Sequence, residues 1–187
     1  MEPDFLVFDN LINQDEIIKI NNFIDKNYDF LEPQENSAKT SNNISKKLAE
    51  VKVITLKKLN KLINIPLELM YDVANQNYGY NLFPKNENNT FLLSKYTHEN
   101  KSKYDYHIDK SESPHYDAKL TFIINISFNK FEGGNFSIFN GNEYEIEKLT
   151  KSGNAILFKS HLNHKVSPII LGERRSLTYF MAGPKFK

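Results

Sequence analysis

Four side chains of this sequence have the types and spacing of a metal site with an anion-binding partner. His107 and Asp109 form a His-x-Asp pair, His164 follows 57 positions after His107, and Arg174 lies ten positions beyond His164. Two imidazoles and one carboxylate are the ligands of a facial triad for non-haem Fe(II), which leaves three coordination positions open. A guanidinium is suited to two-pronged binding of a carboxylate. The pattern predicts an iron enzyme with an acidic cosubstrate.

Two alternatives to the proposed triad must be considered, one for the His-x-Asp pair and one for the third ligand. A His-x-Asp pair also occurs by chance, as a surface histidine beside a carboxylate, and His161 competes with His164 for the third position. His98 and His115 are expected at the surface or at the rim of the site. Because strand side chains alternate, both members of the His-x-Asp pair are expected on one side of a single strand. The third ligand must then come from another strand.

Strand alternation also separates the two arginines that follow His164. If a strand starts after a turn near Gly172, one face carries Arg174, Ser176, Thr178 and Phe180, and the other carries Arg175, Leu177 and Tyr179. An inward Arg174 needs an anionic partner, since an unpaired buried charge is costly. The alternative is a solvated basic turn that contains both arginines.

Composition narrows the class of protein. The chain has 187 residues, 40% of them apolar, with 14 Phe and 10 Tyr, which favours one globular domain over residues 1–187. The net charge of +1 gives no general attraction to nucleic acid or to anionic membranes. The absence of cysteine excludes a thiolate metal site. With no apolar run of membrane-spanning length and no signal-peptide pattern, we expect a cytoplasmic protein without nucleic-acid or membrane partners.

Helical patterns precede strand patterns along the chain. Asn13 and Glu16 resemble a capping pair for a first helix, whose apolar face contains Ile17, Ile20, Phe23 and Ile24. The further expectations are a polar loop over 32–46, a second helix over 48–62 and a third from Pro66 to a stop at Gly79.

One short strand is expected near the N-terminus, at Phe5–Phe8. Beyond residue 80 further short strands are expected at Thr90–Tyr96, Lys119–Phe128, Asn135–Asn140, Ala155–Phe158, Lys165–Ile170 and Ser176–Met181. This order predicts an α+β fold with a jelly-roll core over 90–182 and a helical support region over 1–80.

The sequence resembles the 2-oxoglutarate- and Fe(II)-dependent oxygenases, in particular the prolyl 4-hydroxylase-like group. The matching residues are Tyr96, His107-x-Asp109, Phe131-Glu-Gly133-Gly134, Gly153-Asn-Ala-Ile-Leu-Phe158, His164-x-Val-x-Pro168 and Gly172-x-Arg174-x-Ser176-Leu. Their order and spacing favour His164 over His161. The resemblance implies a double-stranded β-helix with N-terminal helices packed against it.

The resemblance also implies roles for individual residues. His107, Asp109 and His164 would bind Fe(II), and Arg174 would bind the distal carboxylate of 2-oxoglutarate in a reaction that consumes O2. Tyr96 and Thr178 match positions that contact this carboxylate. Each could equally be an ordinary strand residue with no role in binding. Asn125 stands where relatives often have a cosubstrate-binding tyrosine, and Phe180 stands where they often have a tryptophan. Ascorbate is a further candidate cofactor.

Three functions follow from the resemblance and the residues. The first is hydroxylation of a peptidyl-proline in a peptide or protein substrate, and the second is oxidation of a free amino acid or another small molecule. The third is a non-catalytic or zinc-occupied binding module, against which an intact Arg174 argues. The loop Lys110–Ala118 is a candidate substrate lid, and the polar loop 32–46 is a second.

Overall fold

The computed structural model describes residues 2–34, 46–111 and 113–186. Within this part of the chain the helices are α1 (Gln14–Asn27) and α2 (Leu56–Asn77), with 3₁₀ turns at Tyr28–Phe30 and Glu147–Thr150. The strands up to residue 107 are β1 (Phe5–Phe8), β2 (Glu32–Pro33), β3 (Lys47–Leu48), β4 (Glu50–Thr55), β5 (Thr90–Thr97) and β6 (Lys103–His107). The remaining strands are β7 (Tyr116–Asn125), β8 (Glu132–Gly133), β9 (Phe136–Asn140), β10 (Asn142–Glu145), β11 (Ala155–Lys159), β12 (Asn163–Val166), β13 (Ile169–Leu171) and β14 (Glu173–Pro184).

Two antiparallel sheets face each other, and the helices cover the outer side of the larger one. The described residues form a major sheet in the order β1-β11-β7-β14-β5-β4-β2 and a minor sheet in the order β10-β9-β12-β6-β3. One apolar cluster joins both helices to the major sheet. A second cluster contains residues of both sheets, such as Ile123 of β7 and Ile138 of β9, and fills the space between them. The predicted α+β jelly roll with N-terminal helices packed against it is confirmed.

The first helix begins and packs as its sequence predicts. The backbone N–H of Glu16 donates to Asn13 Oδ1 at 3.0 Å, and the backbone N–H of Asn13 donates to Glu16 Oε2 at 2.7 Å. These reciprocal bonds satisfy two donors that a helix N-terminus otherwise leaves without partners. Ile17, Ile20 and Ile24 are fully buried against the major sheet.

The predictions of a second helix over 48–62 and a third from Pro66 were wrong. Residues 50–55 form β4, because this β-branched run pairs with β5, and one helix, α2, then continues through Pro66. A proline inside a helix costs about 3 kcal/mol. Burial of a complete helix face offsets this cost, and the face comprises Leu59, Ile63, Leu67, Met70 and Ala74. Of the helices in the described ranges, none is long and apolar enough to cross a membrane.

The N-terminal region supplies strands as well as helices. β1 pairs with β11 and β4 pairs with β5, so residues 1–80 extend the major sheet on both sides instead of forming a purely helical support. Of the predicted polar loop, Glu32–Pro33 form β2 and residues 35–45 lie outside the described residues. The extent of the single domain stays a prediction.

The long strand β14 lies between β7 and β5 and shows the predicted alternation. Arg174, Ser176, Thr178 and Phe180 line a cavity between the two sheets. Leu177 and Tyr179 instead join the apolar cluster under the helices. The strand therefore presents one face to the site and the other to the core.

Candidate active site

The two histidines and the aspartate of the predicted triad meet at one end of the space between the sheets. His107 is the last residue of β6 and lies directly opposite His164 of β12 in the antiparallel register. Nε2 of His107 is 3.7 Å from Asp109 Oδ1, and Nε2 of His164 is 3.5 Å from Asp109 Oδ2. One ligand atom from each residue lies within 4.8 Å of the others, so the three could hold a metal ion.

Asp109 does not share a strand with His107, contrary to the prediction. β6 ends at His107, and the backbone N–H of Asp109 donates to Ser160 O at 2.9 Å instead of pairing with β12. The chain thus leaves the sheet between the two ligands, which turns the Asp109 carboxylate back toward both imidazoles.

Hydrogen bonds to the backbone orient both imidazoles. Nδ1 of His107 lies 2.9 Å from Asp105 O, and Nδ1 of His164 lies 3.0 Å from Leu162 O. A carbonyl oxygen accepts only from a protonated nitrogen, so Nδ1 carries the hydrogen and the lone pair of Nε2 points toward Asp109. Such a bond to the far ring nitrogen is typical of metal-binding histidines.

Burial keeps His107 in the neutral form that can bind a metal. The pKa of His107 is lowered to about 2, first by burial and then by the charge of His164. Its ring stacks on Tyr104 with a centroid distance of 3.4 Å and an interplanar angle of 12°. On the other side, His164 contacts the ring of Phe158 edge-on at 4.8 Å. Aromatic rings thus cover the two imidazoles, which are both buried.

One hydroxyl group holds the carboxylate of Asp109, and a second hydroxyl group bonds the first. Thr121 of β7 donates from Oγ1 to Asp109 Oδ2 at 2.7 Å, and Thr121 Oγ1 is 2.9 Å from Ser160 Oγ. Both hydroxyl residues are completely buried. Neither residue has a distinguishing sequence pattern, apart from the position of Thr121 on a predicted strand.

Replacing Thr121 by valine is expected to weaken metal binding roughly 10- to 100-fold, which is the usual cost of losing a group that orients a ligand. Valine keeps the shape and removes only the hydroxyl that fixes Asp109. Calorimetric titration with Mn(II) under anaerobic conditions measures the effect. Thr150→Val is the control, because the Thr150 hydroxyl bonds Glu147 O in a surface turn. Equal affinity in the Thr121 variant would contradict the role of the hydroxyl.

Arg174 lies deep in the same cavity with part of its guanidinium unpaired. The residue is 1% exposed. Nη1 donates to Ser176 Oγ at 3.3 Å, whereas Nη2 is buried without a hydrogen-bond partner among the described residues. Burial lowers the pKa of Arg174, and the neighbouring Tyr96 opposes this shift. Since an unpaired buried donor on a cation is costly, the geometry fits an anionic ligand at Nη2.

One cavity of about 530 Å³ connects the triad to Arg174. Its walls include Tyr96, Ile123, Ser176, Thr178, Tyr104 and Val166. The triad and the arginine lie at different depths of the cavity. Phe180 of β14 pairs with Thr121, which contacts Asp109. Ser176 lies four residues before Phe180 on β14, on the side of Arg174. That separation is about 13 Å along the strand, enough for a small dicarboxylate and the arginine side chain end to end.

The structure brings Tyr96 and Thr178 to this cavity but not Asn125. Tyr96 is 3% exposed and its ring centroid lies 5.5 Å from Arg174 Cζ. Asn125 is buried on β7 beyond Ile123, does not line the cavity, and donates from Nδ2 to Leu149 O and Thr150 O. The turn beside Asn125 thus holds its short side chain, and a contact of Asn125 with the cosubstrate stays a prediction.

The competing residues of the sequence lie elsewhere. His98, His115 and His161 are exposed, and none belongs to the His107, Asp109, His164 group. Arg175 points to the opposite face of β14, where its guanidinium bonds Asp25, Asn21 and Glu173. The adjacent arginines therefore have separate environments, as alternation predicts.

Lys47 is a cavity residue that the sequence did not indicate. It lies on β3, is 8% exposed, and donates from Nζ to Ser94 Oγ at 2.7 Å. Ser94 belongs to β5 and is itself buried. A lysine at the end of a polar segment has the pattern of a surface residue, so only the pairing of β3 with β6 reveals its position.

Comparisons with known proteins agree with this geometry. The family model of the 2OG-Fe(II) oxygenase superfamily matches residues 91–182. A search of curated proteins found no match. Among solved structures, a prolyl-4-hydroxylase from Pseudomonas putida is similar with a TM-score of 0.69 and 16% identity, covering 95% of this chain and 92% of that one.

Two further solved structures are similar over almost the whole chain. A prolyl hydroxylase of Trichoplax adhaerens, in complex with a hypoxia inducible factor peptide fragment, gives a TM-score of 0.68 and 14% identity, with coverage of 95% and 83%. The 2OG complex of a viral collagen prolyl hydroxylase from Paramecium Bursaria Chlorella virus-1 gives 0.68 and 15%, with coverage of 97% for both chains. By its family match, its fold and its His-Asp-His group, the chain belongs to the 2OG-Fe(II) oxygenase superfamily, which uses Fe(II), 2-oxoglutarate and O2.

Proposed function

We propose that this oxygenase hydroxylates a proline residue of a peptide or protein, with 2-oxoglutarate converted to succinate and CO2. In this proposal His107, Asp109 and His164 hold Fe(II), and Arg174 holds the distal carboxylate of 2-oxoglutarate. The observation that carries the roles is the unpartnered, buried Nη2 of Arg174 in the cavity that the triad also lines. A non-catalytic metal-binding module does not need a buried guanidinium beside its metal site.

The bound iron would supply activation of O2 and abstraction of hydrogen from a C–H bond, while the protein supplies position and exclusion of water. The two imidazoles, each oriented by a backbone carbonyl, and the hydroxyl-bonded carboxylate are already directed toward one point. Arg174 fixes the far end of the cosubstrate, and Ile123 and Val166 contribute apolar wall to the cavity. In this proposal one oxygen atom of O2 would enter succinate and the other would enter the product alcohol.

A second cavity beside the first supports a long substrate. It has a volume of about 650 Å³ and shares Lys110, Ser111 and Phe180 with the candidate active site. Its outer part contains Phe83 and Tyr116, whose half-exposed rings meet edge to face at 6.4 Å. Aromatic walls of this kind suit an extended, proline-containing segment. The similarity to prolyl hydroxylases, one of them in complex with a peptide, supports the same substrate class.

The test combines two readouts from one reaction. Purified protein is incubated with Fe(II), 2-oxoglutarate, O2, ascorbate and a panel of proline-containing peptides, each paired with a copy in which proline is replaced by alanine. We expect succinate formation and a gain of one oxygen atom on proline, absent from the alanine copies and from an Asp109→Ala variant. Succinate formation without oxidation of any proline peptide would reject the prolyl specificity and favour a free amino acid or another small molecule.

A further inference from the structure

Gly134 lies directly beside the aliphatic stem of Arg174. It ends the motif at residues 131–134, which supplies neither a metal ligand nor the cosubstrate anchor. A Cβ added at Gly134 would lie 3.1 Å from Cδ of Arg174 and would overlap Cδ1 of Ile169. Carbon atoms in ordinary contact lie about 3.5–4.0 Å apart. Glycine at this position therefore leaves the space that the arginine stem occupies.

The backbone of Gly134 is fixed by hydrogen bonds and cannot retreat from the arginine without breaking them. The N–H of Gly134 donates to Pro168 O at 3.1 Å. The next residue, Asn135, donates from its N–H to Ser167 Oγ at 2.9 Å and accepts from the Ser167 N–H at 2.9 Å. The residues before Gly134 form β8, which pairs with β13. A side chain at position 134 must therefore be accommodated by its neighbouring side chains.

The side chain of Arg174 has little freedom to accommodate it. Nη1 donates to Ser176 Oγ at 3.3 Å, and Cζ lies 5.5 Å from the ring centroid of Tyr96. Arg174 is buried, and Ile169 beside it belongs to the apolar cluster between the sheets. Because protein interiors are close-packed, a displacement at Cδ is passed on to the guanidinium. The position of Nη2, which has no partner among the described residues, changes with it.

We propose that Gly134 is a positioning residue for the cosubstrate, because its missing side chain sets the place where the guanidinium of Arg174 meets the distal carboxylate. The inference rests on the role of Arg174 in binding 2-oxoglutarate proposed above, and it holds whichever substrate is oxidised. Its effect is confined to 2-oxo acids that have a distal carboxylate. The left-handed backbone of Gly134, with φ of +62°, is a separate reason for glycine, so a matched control is needed.

The experiment compares two ligands that share the 2-oxo acid end. Calorimetry with Mn(II) under anaerobic conditions gives the dissociation constants of 2-oxoglutarate and of 2-oxobutanoate, which lacks the distal carboxylate. We expect Gly134→Ala to weaken 2-oxoglutarate roughly 10-fold, which is the lower end of the cost of one lost bond to a charged group. The affinity for 2-oxobutanoate should change less than about twofold, because Arg174 has nothing to bind on it.

Gly79→Ala is the control for backbone strain. Gly79 has φ of +61°, almost equal to that of Gly134, and a Cβ added there meets no described atom within 4 Å. The two variants should therefore carry similar strain, which thermal unfolding measures as a lower melting temperature. Gly79→Ala should leave the affinities for both acids unchanged.

Two double variants test whether the effect passes through Arg174. Ile169→Val removes only Cδ1, the atom that the new Cβ would overlap, so Gly134→Ala combined with Ile169→Val relieves that overlap and should keep the loss. It also replaces the single variant if that variant does not fold. In an Arg174→Met background, Gly134→Ala should cause no further loss of 2-oxoglutarate affinity, because two changes that act through one group are not additive.

The outcomes separate this inference from the role of Arg174 on which it rests. Additive losses from Gly134→Ala and Arg174→Met, or an equal loss for both acids, would overturn the positioning role. Restored affinity in the Ile169→Val double variant would overturn it as well, and so would a wild-type preference for 2-oxoglutarate that survives Gly134→Ala. A wild-type protein that binds both acids equally would reject the proposed role of Arg174 and the positioning role with it.

Discussion

Replacing His164 by alanine is expected to reduce succinate formation from 2-oxoglutarate more than about 100-fold, because even the loss of a residue that only orients a ligand costs 10- to 100-fold. The Nε2 atom of His164 lies 3.5 Å from Asp109 Oδ2, and its ring is packed between Phe136 and Phe158. Apart from His107, no histidine among the described residues belongs to this group. Quantitative detection of succinate at saturating Fe(II) and 2-oxoglutarate gives the change, and Mn(II) titration shows whether metal binding is lost with it.

The matched control for this variant is His161→Ala. His161 lies three residues earlier and is exposed, so its removal should change activity less than about twofold. Full activity in the His164 variant would show that the site uses another third ligand. Loss of activity in both variants, with unchanged melting temperatures, would contradict the assignment of His164 over His161.

Replacing Arg174 by methionine is expected to raise the dissociation constant of 2-oxoglutarate roughly 30-fold or more. Truncating one partner of a buried charge pair costs about 2 kcal/mol or more, and each 1.4 kcal/mol is a factor of ten. The ligand-free protein should not become less stable, since the removed guanidinium has an unpartnered Nη2 there. Calorimetry and thermal unfolding of the same sample measure the two quantities.

The neighbouring Arg175→Met variant should show the reverse behaviour. Arg175 bridges Asp25 of α1 and Glu173 of β14 on the far face of the sheet, so its loss should lower the melting temperature. The affinity for 2-oxoglutarate should stay within about twofold. If Arg174→Met kept the wild-type affinity and Arg175→Met lost it, the anchor would be Arg175 and the predicted face of β14 would be wrong.

The sequence predicted those parts of the site that depend on local order. The alternation of β14 placed Arg174 inward and Arg175 outward from their positions alone. The order of the motifs selected His164, which the structure places beside His107 and Asp109. Period-two alternation and motif order are properties of short segments, so they can be read without knowing which strands pair.

Features that depend on long-range packing could not be read in this way. Residues 50–55 and Pro66 were misassigned because pairing with β5 and burial of one helix face outweigh local propensity. Thr121 lies 12 positions from its partner Asp109 and Lys47 lies 47 positions from its partner Ser94, and a single threonine or lysine has no distinguishing pattern. The bonds from the Asn125 amide to the turn at Glu147–Thr150 are likewise long-range contacts that a short segment does not reveal.

Arg174 and Arg175 point to opposite faces of β14, so the turn before this strand must keep its length. Gly172 has φ of +77°, and a Cβ added there would lie 3.0 Å from Lys130 O, so the turn is tight as well as short. One residue inserted or deleted before β14 without compensation would exchange the faces of every side chain that follows. The guanidinium that ties the sheet to α1 would then face the cavity, and the one in the cavity would face α1. We therefore expect family members to vary in the length of their loops elsewhere and to keep this turn constant.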